Sequence, residues 1–222
     1  MKNRYMRNIG ALTADEQQTL FEKTVLVVGL GGLGGYDVEY LARLGIGEIR
    51  ICDYDVFDES NLNRQLVSSE ALVGKSKVEA TAEHIKAINS DVKVVEYAEK
   101  FTEKSASDML YGVDIVLDAL DSVSSRFALE TATSKAGIPL VYAALSGYEG
   151  QITTIMPEKP LLKSLYKGVV KNEAPSVMPF TPAAISAYQV SEAIKVLLHR
   201  GELFGWLLLV DLDSNVTEKI HL

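Results

Sequence analysis

The chain has 222 residues, 47% of them hydrophobic and 23% charged, enough for a substantial globular core. Its formal net charge of -8 excludes a broad nucleic-acid-binding surface, and no uncharged run approaches the ~20 residues of a membrane span. One cysteine excludes an internal disulfide and a cysteine-based zinc site, and a start without the apolar run of a signal peptide makes the cytoplasm the expected location.

Arg4, Tyr5, Arg7 and Asn8 form a polar arm without periodicity. Residues 13–22 read as a short helix, with Thr13 as N-cap and Glu16 at capping-box spacing. Val25-Leu26-Val27-Val28 reads as a buried parallel strand. The glycines after it fit G-x-G-x-x-G at Gly29, Gly31 and Gly34, with Gly32 between, and a helix is expected from Tyr36 to Leu44. A phosphate can touch the backbone only where no Cβ stands in the way, and the new helix offers free N–H groups to an anion. The next strand, residues 48–52, ends in Asp53, placed to take a ribose hydroxyl.

Residues 54–65 are too polar and irregular for core. A helix is expected over 78–89, a strand over 92–97, a short helix over 105–111 and a strand from Ile115 that runs out to Asp121. A helix over 124–136, a strand over 140–144, a turn over 146–150 and a strand over 151–156 follow. The repeated strand–helix period implies a Rossmann-like, doubly wound α/β fold with a mostly parallel sheet. Residues 157–182 break the pattern and read as a crossover or lid. A strong amphipathic helix over 183–198 precedes two strands, 206–211 and 216–221, that close the fold as an antiparallel pair. One domain over residues 1–222 is expected.

Acids and bases gather beyond the carboxyl ends of the strands, where such sheets bind ligands. Asp53, Arg64, Lys77 and Asp121 suit a nucleoside triphosphate with Mg²⁺, because two cations neutralise phosphate oxygens while a carboxylate holds the metal. His84, His199 and His221 lie in or beside regular elements and read as structural.

Arg4-Tyr5 with Arg7-Asn8, Gly29 to Gly34, Asp53, Asn61-Leu62-Asn63-Arg64-Gln65, Gly74 to Lys77, Asp118 with Asp121, and Glu149-Gly150-Gln151 together resemble the MoeB/ThiF/HesA family, relatives of ubiquitin-activating enzymes. The resemblance implies adenylation of the C-terminal glycine carboxylate of a ubiquitin-like sulfur-carrier protein ending in Gly-Gly, by a homodimer. By position it implies Asp53 and Asp55 at the ATP ribose side, Asn61, Arg64, Gln65 and Lys77 on the phosphates, and Asp121 on Mg²⁺. Arg7 would reach into the partner subunit's site. Asp118 competes with Asp121 for the metal, and Asp121 is preferred because Asp118 still lies within its strand.

Two departures stand out. Many relatives have two Cys-x-x-Cys pairs for zinc, and some have a reactive cysteine after the crossover; here the only cysteine is Cys52, which reads as a core thiol. Ser122 stands where the family commonly has Asn. The resemblance therefore implies ATP and Mg²⁺ without zinc, and chemistry that stops at an acyl-adenylate. The alternatives are another carboxylate, on a peptide or on threonylcarbamoyl-tRNA, an NAD-binding redox protein, or a silent binding subunit.

Overall fold

The run of Val and Leu that opens the sheet favours an extended strand covered on both faces, and the chain builds outward from it. The computed structural model describes residues 2–167 and 176–222. α1 (Ala14–Leu20) comes first, closed by reciprocal bonds between Thr13 and Glu16. β1 (Thr24–Val28), α2 (Gly32–Leu44), β2 (Glu48–Cys52), α3 (Lys77–Ile88) and β3 (Lys93–Tyr97) then alternate. α4 (Ala106–Leu110), β4 (Ile115–Asp118), α5 (Val123–Ala136) and β5 (Leu140–Ser146) continue the alternation. The chain ends with β6 (Glu149–Ile155), α6 (Leu162–Leu165), α7 (Thr181–Leu197), β7 (Trp206–Asp211) and β8 (Val216–His221).

All eight strands join one sheet in the order β3-β2-β1-β4-β5-β6-β7-β8. β1 to β5 are parallel, whereas β6, β7 and β8 each pair antiparallel with the strand before. The antiparallel part thus begins one hairpin earlier than the closing pair alone. Only Gly147 and Tyr148 separate β5 from β6, too few residues for a parallel crossover. α2 opens at Gly32, four residues before the expected Tyr36, because the glycine run itself takes up the first turn.

One face carries a core of Val25, Val27, Ile49, Ile51, Ile115 and Leu117 against Val38, Leu41, Ile85, Val190 and Ile194 of α2, α3 and α7. The other packs Leu26, Val28, Val116, Leu140 and Tyr142 against Met109, Leu129 and Leu162 of α4, α5 and α6. α7 is the longest helix described, and its buried Gln189 donates to the carbonyls of Asp118 and Val141. That amide ties the helix across β4 and β5. Buried Ser186, on the same helix, donates to Asp37 of α2.

The N-terminal arm is anchored rather than free. Tyr5 is buried against Phe21, its ring 4.8 Å away, and its hydroxyl accepts from Asn89 Nδ2 at 2.8 Å. Gly45 caps α2 at φ +81°, and a Cβ there would lie 2.6 Å from the Tyr5 ring. Residues 168–175, the middle of the expected crossover or lid over 157–182, lie outside the described residues. Among the described residues no helix is long and apolar enough to cross a membrane.

Candidate functional site

After β3 the chain crosses back to lay β4 beside β1, so loops leaving these two strands diverge and open a crevice. A cleft of about 240 Å³ lies there, lined from the ends of β1, β2 and β4 and by residues of the following loops. Gly29, Gly31, Gly32, Asp53, Asp55, Arg64, Gln65, Lys77 and Asp121 all line it. Gly34, Asn61 and Arg7 are not among the lining residues.

The three fingerprint glycines do different things. A Cβ on Gly29 would sit 2.5 Å from the Ala119 carbonyl oxygen, and one on Gly34 would sit 1.8 Å from the Gly29 carbonyl oxygen. These two permit close packing of turn, helix and neighbouring strand. At Gly31 the nearest atom to such a Cβ is Gln65 Nε2 at 3.7 Å, so this glycine is the one that faces open cleft. Gly31 is also the N-cap of α2 and offers no capping side chain, unlike Thr13, Ser76 and Ser122 before α1, α3 and α5. The first-turn N–H groups of α2 and its positive end therefore point at whatever occupies the cleft.

Asp53 shapes the next section of wall. One of its carboxylate oxygens accepts from Leu30 N at 2.6 Å and the other from Asp55 N at 2.9 Å. Asp55 in turn accepts Lys77 N on its carbonyl and Lys77 Nζ on its carboxylate at 3.3 Å. Lys77 is buried at the start of α3, leaving its ammonium at the cleft with Asp55 as its counter-charge. Tyr54 projects between the two aspartates; its phenol is pushed above its ordinary value by Asp55 first, then by burial and by Asp121 and Asp53.

Arg64 is half-buried and is steered by Ser60 O and Asn63 Oδ1, each at 2.8 Å. Gln65 is buried, and its Oε1 has no partner in the protein. Asn61 braces the loop: its Oδ1 accepts Asp58 N and so closes a turn under Arg64.

The competing aspartates part company here. Asp118 is fully buried, one oxygen accepting Leu120 N and the other without a partner, and burial raises its carboxyl despite the opposing Arg126 charge. Asp121 is exposed and faces the cleft, and the N-cap of α5 is Ser122 rather than Asp121.

Arg126 escapes the sequence reading. It is buried in the first turns of α5, lines the cleft floor, and donates to the carbonyls of Leu120 and Ala143. Its guanidinium lies 4.9 Å from the centre of the Tyr142 ring. Burial opposes its charge, but Asp118, then the tyrosines and Asp121, outweigh that. One signal was available: an arginine near a helix N-terminus opposes the helix dipole, and so calls for acids nearby.

Arg7 is exposed on the arm that Tyr5 pins beside Gly45. That is the far end of α2 from the cleft, about 20 Å away for a helix of this length. Cys52 is buried with Sγ 3.3 Å from Glu99 O, and burial, then Asp53 and Glu99, push its thiol up to about 12. Among the described residues no three His, Cys, Asp or Glu side chains are grouped to hold a metal unaided. A larger cavity of about 510 Å³ between α4 and α5 is crossed by one exposed ion pair, Lys135–Glu103, and has no comparable cluster of charges.

The cleft thus has an uncapped helix N-terminus, three cations and three carboxylates, an arrangement suited to a polyanion chelated by a divalent ion. The family model described as ThiF family matches residues 5–221. The chain is 36% identical over 227 residues to a Haloferax volcanii protein named SAMP-activating enzyme E1, across 98% of this chain and 84% of that one. It is 34% identical to the molybdopterin-synthase adenylyltransferase of Salmonella typhimurium, across 84% of this chain and 77% of that one. It spans about half the length of several longer relatives named adenylyltransferase and sulfurtransferase. Among solved structures, E. coli tRNA N6-threonylcarbamoyladenosine dehydratase aligns with a TM-score of 0.75 at 27% identity, over 89% of this chain and 95% of that one.

Proposed function

The chain belongs to the ThiF family, and from that premise we propose that it uses ATP to adenylate the C-terminal carboxylate of a ubiquitin-like sulfur-carrier protein ending in Gly-Gly, in the cytoplasm. The observation that carries the reading is the charge pattern of one cleft: Arg64, Lys77 and Arg126 with Asp53, Asp55 and Asp121 around the open end of α2. A dinucleotide for hydride transfer needs neither so many cations nor an exposed acid opposite them.

In this reading the carboxylate oxygen of the carrier attacks the α-phosphorus, the bond to the bridging oxygen breaks, and pyrophosphate leaves with its electrons. Both reactants are anions, so alignment and charge neutralisation lower the barrier and no protein nucleophile is needed. The α2 N–H groups, Arg64, Gln65 and Lys77 hold the phosphates, and Asp53 takes the ribose. Asp121 would be the residue that holds Mg²⁺, which would supply positive charge to neutralise the departing pyrophosphate. Cys52, the single cysteine of this chain, is buried and protonated, which supports release of an acyl-adenylate rather than formation of an enzyme thioester.

Arg7 lies at the wrong end of its own subunit for this cleft, which supports a homodimer in which each Arg7 serves its partner's site. A second reading, with the carboxylate carried on tRNA, draws on the likeness to the threonylcarbamoyladenosine dehydratase, and the net charge of -8 weighs against it. The deciding experiment is ATP–pyrophosphate exchange measured with small carriers ending in Gly-Gly, with free peptides and with threonylcarbamoyl-tRNA. Exchange that depends on a carrier supports the first choice; exchange with tRNA alone overturns it.

A further inference from the structure

Residues 157–166 leave β6 and run back along α5 in a regular register. Ser134 Oγ donates to Pro157 O, and Glu130 Oε1 accepts from Leu161 N at 2.5 Å and from Leu162 N at 2.8 Å. Phe127 then meets the Tyr166 ring edge-on, their centres 5.9 Å apart. Positions 127, 130 and 134 share one helix face, so the segment is laid from the C-terminal end of α5 toward its first turns. It brings Tyr166 to the end of the helix from which Arg126 enters the cleft.

There two tyrosines meet. Tyr142 of β5 is wholly buried; its hydroxyl lies 2.9 Å from that of Tyr166 and accepts from Gln151 Nε2 at 2.7 Å. A phenol has one proton to give. With Gln151 donating, Tyr142 gives its own to Tyr166, the acceptor it has among the described residues. Deprived of that acceptor, a buried hydroxyl is costly, and the ring that carries it must shift to find another. The Arg126 guanidinium sits over this ring, 4.9 Å from its centre, while it donates to Leu120 O and Ala143 O. The two carbonyls fix N–H groups, and the ring supports the face of the cation.

We propose that Tyr142 and Tyr166 are positioning residues that hold the Arg126 guanidinium at the cleft floor, so that the seat of residues 157–166 on α5 sets the third cation of the site. This rests on the adenylation reading above, which counts Arg126 among the charges of the cleft. Neither tyrosine lines the cleft, so each acts through Arg126 rather than on a ligand. A small displacement of a charge aligned with the reacting phosphates costs rate more than binding.

The test compares Tyr166→Phe with the double variant Tyr142→Phe, Tyr166→Phe, both well below their melting temperatures. ATP–pyrophosphate exchange is measured with the Gly-Gly carrier that supports it best. Nitrogen NMR follows the Arg126 side-chain N–H resonance, assigned by its loss in Arg126→Lys. Tyr166→Phe strands the Tyr142 proton and should lower kcat about tenfold, with the KM for ATP within about twofold and the Arg126 resonance displaced. The double variant keeps both rings and has no proton to strand, so kcat and resonance should return close to wild type. A merely structural part for Tyr166 would lower the melting temperature without moving kcat. Wild-type kcat in Tyr166→Phe, or a loss that the double variant does not recover, would overturn the positioning role and leave the proposed function standing. A wild-type chain without exchange on any carboxylate would overturn that function instead. An Arg126 resonance left in place by Tyr166→Phe would then remove the positioning as well, and a displaced one would retain it.

Discussion

Asp37 sits wholly buried in α2, one carboxylate oxygen taken by Ser186 and the other without a partner. Burial, reinforced by nearby Asp118, pushes its carboxyl up to about 8, with Ser186 pulling the other way. The unfolded chain loses this proton near pH 4 while the folded chain keeps it to about pH 8, so stability falls as pH rises across that window and levels off above it. Asp37→Asn keeps an acceptor for Ser186 and removes the penalty. Thermal melts from pH 4 to 9 should show the variant matching wild type at pH 4 and gaining on it as pH rises, by several kcal/mol at the top. In the cleft, Arg64→Ala and Asp121→Ala should each lower pyrophosphate exchange more than ~100-fold, the scale of a lost contact to transition-state charge. Wild-type exchange in Arg64→Ala would remove that loop from the phosphate site. Cys52→Ser should leave exchange intact, and the wild-type chain should form no thiol-sensitive adduct with a carrier on a non-reducing gel.

At the scale of elements, the turn between β1 and α2 predicts opposite phenotypes for two alanine substitutions. Gly34→Ala puts a methyl 1.8 Å from the Gly29 carbonyl oxygen and should lower stability by ~1–3 kcal/mol through forced displacement of turn or helix. Gly31→Ala has room, with the nearest atom 3.7 Å from the new methyl, and should weaken ATP at a far smaller cost in melting temperature than Gly34→Ala. Sequence pattern alone cannot draw this distinction, because all three fingerprint glycines look equivalent until their neighbours are known. The elements themselves were mostly legible: 48–52, 206–211 and 216–221 are strands with the expected bounds, and Thr13 caps α1 as the spacing implied. What escaped depends on distant residues. The arm looked irregular because Tyr5 is buried by Gly45, Phe21 and Asn89, partners up to 84 positions away. Arg126 was hidden in a helix whose apolar face is weak, and its role appears only when β4 and β5 bring Leu120 and Ala143 together. The antiparallel run from β6 was within reach, since a two-residue link permits nothing else.

For the whole molecule, the placement of Arg7 makes the dimer testable by complementation. Mixing Arg7→Ala with Asp121→Ala subunits should restore part of the exchange activity, because one site of the mixed dimer then carries both lesions and the other neither. No recovery after subunit exchange would end the trans role of Arg7. α7 sets a different kind of constraint on the chain as it is made. It covers α2, β4, β5 and β6 at once and closes the polar link from Ser186 to Asp37, yet it is encoded after every phosphate-side residue of the cleft. A nascent chain that has left the ribosome up to β6 carries Gly31, Asp53, Arg64, Lys77 and Asp121 in the right order, but α2 still lacks its α7 cover and Asp37 still lacks Ser186. Translation must therefore pass α7 before the first half can settle, and ribosome-bound chains stopped before Thr181 should be captured by holding chaperones and digested by protease far faster than those stopped after β8.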